Sequence, residues 1–217
     1  MYNYVMNGPV INKKEILREL SNIGIKEENL LSVYLFGSNY WGYANEKSDI
    51  DLYVIVKKEI GIKQLDLERI SFRYICTLEE TEEAILKGSW ARFYVLKFAS
   101  RLLIGKKVTL PDYPKEKAIA YIDGKREDVE KILQSPLKWG YITLMVRVFL
   151  INYLFFNINS SNLKSYEECN ILNEKEKEFI SILYDKLFNH KEIEREDKEK
   201  IIEIIENLER HIRKNLS

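Results

Sequence analysis

Hydrophobic and polar positions in the N-terminal half follow patterns that predict both helices and strands. Apolar residues at helical spacing predict a helix over residues 12–23. Two short apolar runs, 30–36 and 49–56, predict buried strands, and one or two further strands are expected within 62–76. The alternation of one helix with several short strands indicates a small mixed β-sheet with flanking helices.

Helical patterns dominate the rest of the chain. The capping box Thr77–Glu80 begins one helix, and apolar residues at every fourth position predict another over 90–104. The segment Gly105–Pro114 holds two of the four prolines, so we place a boundary there between domains 1–112 and 113–217. The second domain is predicted to be all-helical, with helices at 127–133, 137–156, 174–189 and 192–214. The predicted fold class is therefore α+β.

Composition excludes several functional classes. Lys+Arg and Asp+Glu both number 34, so the formal net charge is zero and general nucleic-acid binding is not expected. Cys76 and Cys169 lie too far apart to predict a disulfide framework or a cysteine zinc site. The apolar segment 141–156 contains Arg147 and Asn152 and is too short to predict a membrane span. Because the N-terminal residues also lack the pattern of a signal peptide, we expect a cytoplasmic protein without a membrane partner.

One segment combines residue types that suit phosphate chemistry. Gly37 ends the first strand, where a glycine turn lets backbone N–H groups face a phosphate, and Ser38 adds a hydroxyl donor. Asp49 and Asp51 are two positions apart on the next strand, so both carboxylates project from one face. Two such carboxylates repel each other unless a cation lies between them, and Mg²⁺ bound by carboxylates also binds substrate phosphates. We therefore expect a magnesium site with two ions ~4 Å apart, which would clamp the oxygens of an in-line displacement at phosphorus.

The run Tyr34–Ser38, followed after ten residues by Asp49–Leu52, resembles the nucleotidyltransferase superfamily, whose signature is Gly-Ser and then Asp-x-Asp on the next strand. Residues 90–110 look like the segment that closes the catalytic domain of aminoglycoside adenylyltransferases, and 141–147 is similar to an Arg-bearing helix of their helical C-terminal domain. The resemblance implies a DNA polymerase beta-like fold in which the helical domain forms the other wall of a cleft. It also implies Mg²⁺-dependent transfer of AMP from ATP to a hydroxyl of a small-molecule acceptor, such as an aminoglycoside-like antibiotic.

The same resemblance assigns roles to residues that would contact the nucleotide. Gly37 and Ser38 would hold the β,γ-phosphates, and Ser48 would assist at the start of the second strand. Arg147 lies in an almost wholly apolar helix, and a buried guanidinium needs an anionic partner. That partner is either a carboxylate of the other domain or a nucleotide triphosphate, which the resemblance favours. Lys164 would be a second phosphate contact, with an ordinary surface lysine as the alternative.

A third carboxylate, which the superfamily usually carries on a neighbouring strand, has more than one candidate. The stretch 65–67 has the apolar–acid–apolar pattern of a strand that would turn Asp66 inward. The stretch 70–75 fits the usual placement before a helix better, but it puts Ser71 at the position of the acid. We assign Asp66 as the third catalytic carboxylate beside the aspartate pair, with Glu68 as the alternative if a bulge shifts the strand. Ser71 at that position would indicate a slow enzyme or one that has lost catalysis.

Two rival functions are also compatible with these motifs. The first is a nucleotidyltransferase that modifies a protein or tRNA, as in toxin–antitoxin pairs. The second is a non-catalytic relative that binds a nucleotide. The helical domain fused to the catalytic one favours a self-contained enzyme that acts on a small molecule.

Overall fold

The computed structural model describes residues 11–135, 137–158, 163–189, 191 and 194–216. Contacts divide the chain into two units, one of Met1–Lys87 with Arg92–Asp112 and one of Gly88–Ala91 with Tyr113–Ser217. This division falls after residue 112, where the sequence places the domain boundary, but the four residues of Gly88–Ala91 group with the second unit. The α+β prediction is confirmed, since a mixed sheet with helices precedes a helical region.

A five-stranded sheet forms the framework of the first unit. Its strands are β1 (Leu30–Phe36), β2 (Ile50–Val56), β3 (Leu65–Asp66), β4 (Ile70–Thr77) and β5 (Arg101–Gly105). Their spatial order is β3-β4-β2-β1-β5. β1 is antiparallel to both β2 and β5, β3 is antiparallel to β4, and β2 is parallel to β4. The two aspartates of the sequence motif therefore lie at the start of a central strand.

Both faces of this sheet are covered by apolar side chains. The helices of the N-terminal half are α1 (Lys13–Asn22), α2 (Ser38–Trp41), α3 (Leu78–Leu86) and α4 (Trp90–Lys97). Ile16 and Leu20 of α1 are buried with the apolar residues of one face. On the other face Tyr53 and Ile55 are buried with Leu96 of α4. The strands alternate side chains between two buried faces, which explains why their sequences are almost continuously apolar.

The helix predicted over 90–104 ends earlier than expected, so its predicted C-terminal bound is wrong. Helix α4 ends at Lys97, and the segment Arg101–Gly105 is strand β5. This strand pairs with β1, where Leu102 lies opposite Tyr34. A short apolar run fits either a helix or a buried strand, and periodicity alone does not decide between them. The open edge of β1 decides here, because it supplies backbone hydrogen bonds to this segment.

The second unit is helical. Its helices are α5 (Ala118–Asp123), α6 (Arg126–Glu130), α7 (Leu137–Phe156), α8 (Glu174–Phe188) and α9 (Arg195–Leu216). Helix α7 packs against α9, and its window Trp139–Phe156, with mean hydropathy 1.5, is long and apolar enough to cross a membrane. This window begins two residues before the stretch 141–156 considered in the sequence, and it passes by length and composition alone. However, 67% of the window is buried inside the fold, as in the core helix of a soluble protein.

Candidate functional site

Gly37 makes the turn between β1 and α2. Its φ of +70° and ψ of −152° belong to a region that is essentially restricted to glycine. A Cβ atom at this position would overlap Oδ2 of Asp51 and lie 3.1 Å from its Cγ. The missing side chain therefore lets the turn close directly onto the carboxylate of β2. The two halves of the sequence motif are in contact at this point.

Helix α2 is tied to the strand that carries the aspartates. Asn39 is buried, and its Nδ2 donates a hydrogen bond to the backbone oxygen of Asp49 at 2.7 Å. Ser38 is half-buried at the first position of the same short helix. The sequence analysis did not predict this helix and did not identify Asn39. The amide fixes the backbone of Asp49 relative to the glycine turn.

Asp49 and Asp51 project from the same edge of the sheet, and a guanidinium joins them. Nη2 of Arg73 lies 2.9 Å from Oδ2 of Asp49, and Nε of Arg73 lies 2.8 Å from Oδ1 of Asp51. The side chain of Asp49 is 41% exposed and that of Asp51 is 16% exposed. The sequence analysis required a cation between these carboxylates. The chain itself supplies one, and the motif analysis missed it.

Arg73 reaches the aspartates from a bulge in β4. In the parallel pairing of β2 with β4, Leu52 lies opposite Phe72. The next pair is Tyr53 with Tyr74, so Arg73 is an extra residue on β4. Bulges bend a strand and re-aim a side chain, often beside a functional site. The sequence carries a signal of this bulge, because polar and apolar residues alternate up to Arg73 and three largely apolar residues follow it.

Asp66 and Ser71 complete the cluster. Asp66 on β3 lies opposite Ser71 on β4, and the Ser71 hydroxyl donates a hydrogen bond to Oδ1 of Asp66. Nη1 of Arg73 lies 3.4 Å from the same oxygen. The hydroxyl of Ser71, followed by Gln64 and Arg73, lowers the pKa of Asp66 below its usual value. In the β2–β4 pairing Ser71 lies opposite Asp51. Asp66 and Ser71, two of the residues considered for the position of the third carboxylate, therefore lie in one cluster.

Tyr43 also interacts with the cluster. It lies between α2 and β2, and burial raises the pKa of its phenol, which the charge of Asp51 raises further. The phenol therefore stays protonated at neutral pH. Beside these carboxylates Tyr43 acts as a neutral hydroxyl.

Ser48 and Glu68 make no described side-chain contact with the carboxylate cluster. The Ser48 hydroxyl accepts a hydrogen bond from the backbone N–H of Asn45 at 3.0 Å and lies 3.3 Å from its Oδ1. Ser48 therefore stabilises the turn before β2. Glu68 is exposed in the turn between β3 and β4. None of the described contacts of either side chain involves the aspartates, and the bulge that was expected to favour Glu68 lies on β4 instead.

The structure pairs Arg147 with a carboxylate, one of the two kinds of partner that the sequence left open, and its nucleotide role stays a prediction. Its side chain is 2% exposed, and its Nε lies 3.0 Å from Oε1 of Glu209. Nη1 and Nη2 donate hydrogen bonds to the backbone oxygens of Thr143 and Lys125. The anionic partner is therefore a carboxylate, and it belongs to the same helical unit rather than to the other domain. A guanidinium that is buried and neutralised in this way stabilises the packing of α7 on α9.

Lys164 also belongs to the helical unit. Its Nζ lies 4.9 Å from the centroid of the Tyr184 ring, which is a cation–π contact. This contact accounts for the position of the lysine as part of the unit. The phosphate role that the resemblance implies for Lys164 stays a prediction.

The oxygen donors of the cluster fit a magnesium ion that is shared with a nucleotide. Among the described residues, no group of three or more His, Cys, Asp or Glu side chains is placed to hold a metal by itself. Mg²⁺ is commonly bound through one or two carboxylates together with substrate phosphates, and Asp49 and Asp51 offer that number. Arg73 contacts one oxygen of each of these carboxylates, Oδ2 of Asp49 and Oδ1 of Asp51.

Comparisons with known proteins agree with this geometry. Residues 18–93 match the family described as "Polymerase beta, Nucleotidyltransferase", a stretch that includes the glycine turn, both aspartates and Arg73. A spectinomycin adenyltransferase from Enterococcus faecialis, solved with ATP and spectinomycin, is similar in fold. It is 15% identical in sequence with a TM-score of 0.51, over 91% of this chain and 99% of that one. No curated protein matches the sequence significantly. Residues 18–93 thus match a nucleotidyltransferase domain of the polymerase beta type, and the fold of the chain is like that of the adenyltransferase.

Proposed function

We propose that the protein is a magnesium-dependent nucleotidyltransferase that moves AMP from ATP to a hydroxyl of a small-molecule acceptor. The observation that carries this proposal is the contact between the Gly37 turn and Asp51, with Asp49 at the same edge of the sheet. This contact brings a turn suited to phosphates next to carboxylates suited to Mg²⁺. The family match and the ATP in the structure of similar fold support the choice of donor.

Each residue of the site has a role in the proposed reaction. The backbone at Gly37 and the hydroxyl of Ser38 bind the β,γ-phosphates, and Asp49 and Asp51 hold the cation. Magnesium, when bound, offsets the phosphate charge and orients the phosphates. The acceptor oxygen forms a bond to the α-phosphorus while the bond to the β-phosphate oxygen breaks, so that pyrophosphate leaves.

Asp66 is our candidate for the group that takes the proton of the acceptor hydroxyl. Its side chain is 56% exposed and its lowered pKa keeps the carboxylate ionised at neutral pH. A base works best when its pKa lies near the operating pH, so a carboxylate with a low pKa is a weak one. We therefore expect slow turnover.

A described pocket beside β4 has a lining of mixed charge. A pocket of about 380 Å³ is lined by Tyr74, the neighbour of Arg73, and by five charged side chains: Lys63, Lys87, Arg92, Glu80 and Glu83. The guanidinium of Arg92 lies over the Tyr74 ring at 5.0 Å. Three cations against two carboxylates do not make an acidic lining. None of the three aspartates of the cluster lines this pocket, so it does not identify the acceptor, and we include neutral and anionic hydroxyl compounds beside aminoglycosides in the test.

Pyrophosphate release tests the proposal. ATP, GTP and CTP with Mg²⁺ would each be offered aminoglycosides, lincosamides, sugar phosphates and RNA. Wild type and Glu68→Gln, a control in an exposed turn, should release pyrophosphate from ATP when a small-molecule acceptor is present. Asp51→Asn should release none. Equal release by Asp51→Asn would refute the proposed site.

A non-catalytic nucleotide-binding protein is the second candidate, and one observation favours it. Ser71 rather than an acid lies opposite Asp51, and Arg73 joins the two aspartates. Calorimetry distinguishes the two functions, because this alternative predicts binding of ATP with Mg²⁺ but no pyrophosphate release with any acceptor. Release that requires RNA or a protein substrate would instead favour the macromolecule-modifying enzyme.

A further inference from the structure

We propose that Arg73 is an internal counter-cation that competes with divalent metal for Asp49 and Asp51. In the free protein the guanidinium occupies the position between the carboxylates, and a metal binds only when Arg73 leaves. The inference concerns the metal site of the proposed function, but metal binding alone tests it.

The contacts of Arg73 support this competition. Its three nitrogens face three carboxylates, Asp49 at 2.9 Å, Asp51 at 2.8 Å and Asp66 at 3.4 Å. The guanidinium therefore occupies one oxygen of Asp49 and one of Asp51, the two side chains that would hold a cation. A divalent cation beside a guanidinium would repel it, so the two are not expected to share Asp49 and Asp51.

The position of Arg73 in β4 allows it to leave. Its side chain is 40% exposed, so the guanidinium can move into water without crossing a packed core. It is also the extra residue of the bulge, which interrupts the pairing of β2 with β4 at this position. Partly exposed ion pairs contribute little to the stability of a fold. Stability therefore does not explain why a central strand is interrupted to place a guanidinium among carboxylates.

A nucleotide would change the competition. A triphosphate bound at the Gly37 turn offers the guanidinium another anion, since arginine binds phosphate as well as carboxylate. Release of Asp49 and Asp51 and binding of the metal would then occur together with nucleotide binding. This coupling rests on the proposed function, whereas the competition between Arg73 and the metal does not.

Mn²⁺ binding to the full chain without nucleotide, followed by electron paramagnetic resonance, tests the competition. Arg73→Gln should bind Mn²⁺ about tenfold more tightly than wild type, because the loss of one nearby positive charge strengthens cation binding to that extent. Arg73→Lys should lie between them, because an ammonium does not bridge two carboxylates as a guanidinium does. Arg69→Gln removes an exposed cation from the turn between β3 and β4 and should leave the affinity unchanged.

Two controls complete the experiment. Asp49→Asn in the Arg73→Gln background should abolish the increase in Mn²⁺ affinity, which assigns that increase to this carboxylate pair. Melting curves should show that Mn²⁺ stabilises Arg73→Gln more than wild type, and if Arg73→Gln does not fold, the affinity of Arg73→Lys decides. An affinity of the Arg73 variants no higher than that of Arg69→Gln overturns the inference, even if the enzyme is active. Tighter Mn²⁺ binding without any pyrophosphate release would leave the inference standing and refute the proposed function.

Discussion

The two glycines that flank helix α2 allow a sharp test of the contact between the turn and the aspartate. Gly37 and Gly42 both have positive φ, +70° and +84°. A Cβ added at Gly37 would overlap Oδ2 of Asp51, whereas one added at Gly42 would meet nothing within 4 Å. Gly37→Ala therefore adds a clash to the backbone strain, and Gly42→Ala adds the strain alone.

The magnitudes follow from these two geometries. Gly42 is in the left-handed helical region, where a side chain costs about 1–2 kcal/mol. Gly37 is in a region that is essentially restricted to glycine, where strain alone costs about 1–3 kcal/mol. The clash also displaces Asp51 from Nε of Arg73, a charge-assisted contact at 2.8 Å. We expect Gly37→Ala to lower the free energy of unfolding by about 3 kcal/mol or more, and Gly42→Ala by about half as much.

Urea unfolding and calorimetric ATP titration with Mg²⁺ measure both consequences. Gly37→Ala should weaken ATP binding by about tenfold or more, which corresponds to 1.4 kcal/mol, because the turn and the carboxylate both shift. Gly42→Ala should retain wild-type affinity. If the two variants have equal stability and equal ATP affinity, the contact between the turn and Asp51 does not organise the site.

Three further substitutions separate the roles of individual side chains. Asp66→Asn should keep ATP binding and reduce turnover about 100-fold, measured by pyrophosphate release, and full activity would exclude Asp66 as the base. Arg147→Ala should lower the free energy of unfolding by about 3–5 kcal/mol and leave ATP affinity unchanged, because it leaves a partly buried Glu209 unpaired. Replacing both partners with leucine should recover much of that loss, and a fall in ATP affinity instead would restore a nucleotide role. Asp49→Asn should change the melting temperature in EDTA little, because its pair with Arg73 is partly exposed, yet abolish pyrophosphate release.

Local patterns were enough to predict the framework of the first unit and the central part of its site. The strands around the motif have short apolar runs, and the helix after β4 has a capping box that the structure shows complete at Thr77 and Glu80. The common face of Asp49 and Asp51 follows from a spacing of two residues on a strand. These features depend on neighbours in sequence, so a single sequence contains them.

Features that depend on distant partners were not predictable in the same way. Arg101–Gly105 is a strand because the edge of β1 is open to it, and no local pattern distinguishes this outcome from a longer α4. The apolar sequence around Arg147 indicates that the guanidinium is buried and needs an anionic partner. It does not identify Glu209, which lies 62 positions away on another helix. The position of Arg73 depends on a one-residue shift in the pairing of β4 with β2. The sequence indicates this shift only weakly, through the end of the polar–apolar alternation at Arg73.

Asp51 is the residue through which the parts of the site act on one another. Gly37 approaches it from one side, Arg73 binds it from another, and Ser71 lies opposite it on the parallel strand. It is also less exposed than Asp49, at 16% against 41%, so its carboxylate has less freedom to adjust. In the proposed function, a ligand that binds the turn would act on the same carboxylate that would exchange Arg73 for a metal. Phosphate binding and metal binding would then be coupled through a single side chain, which gives a physical reason why the glycine turn and the aspartate pair occur together in the motif.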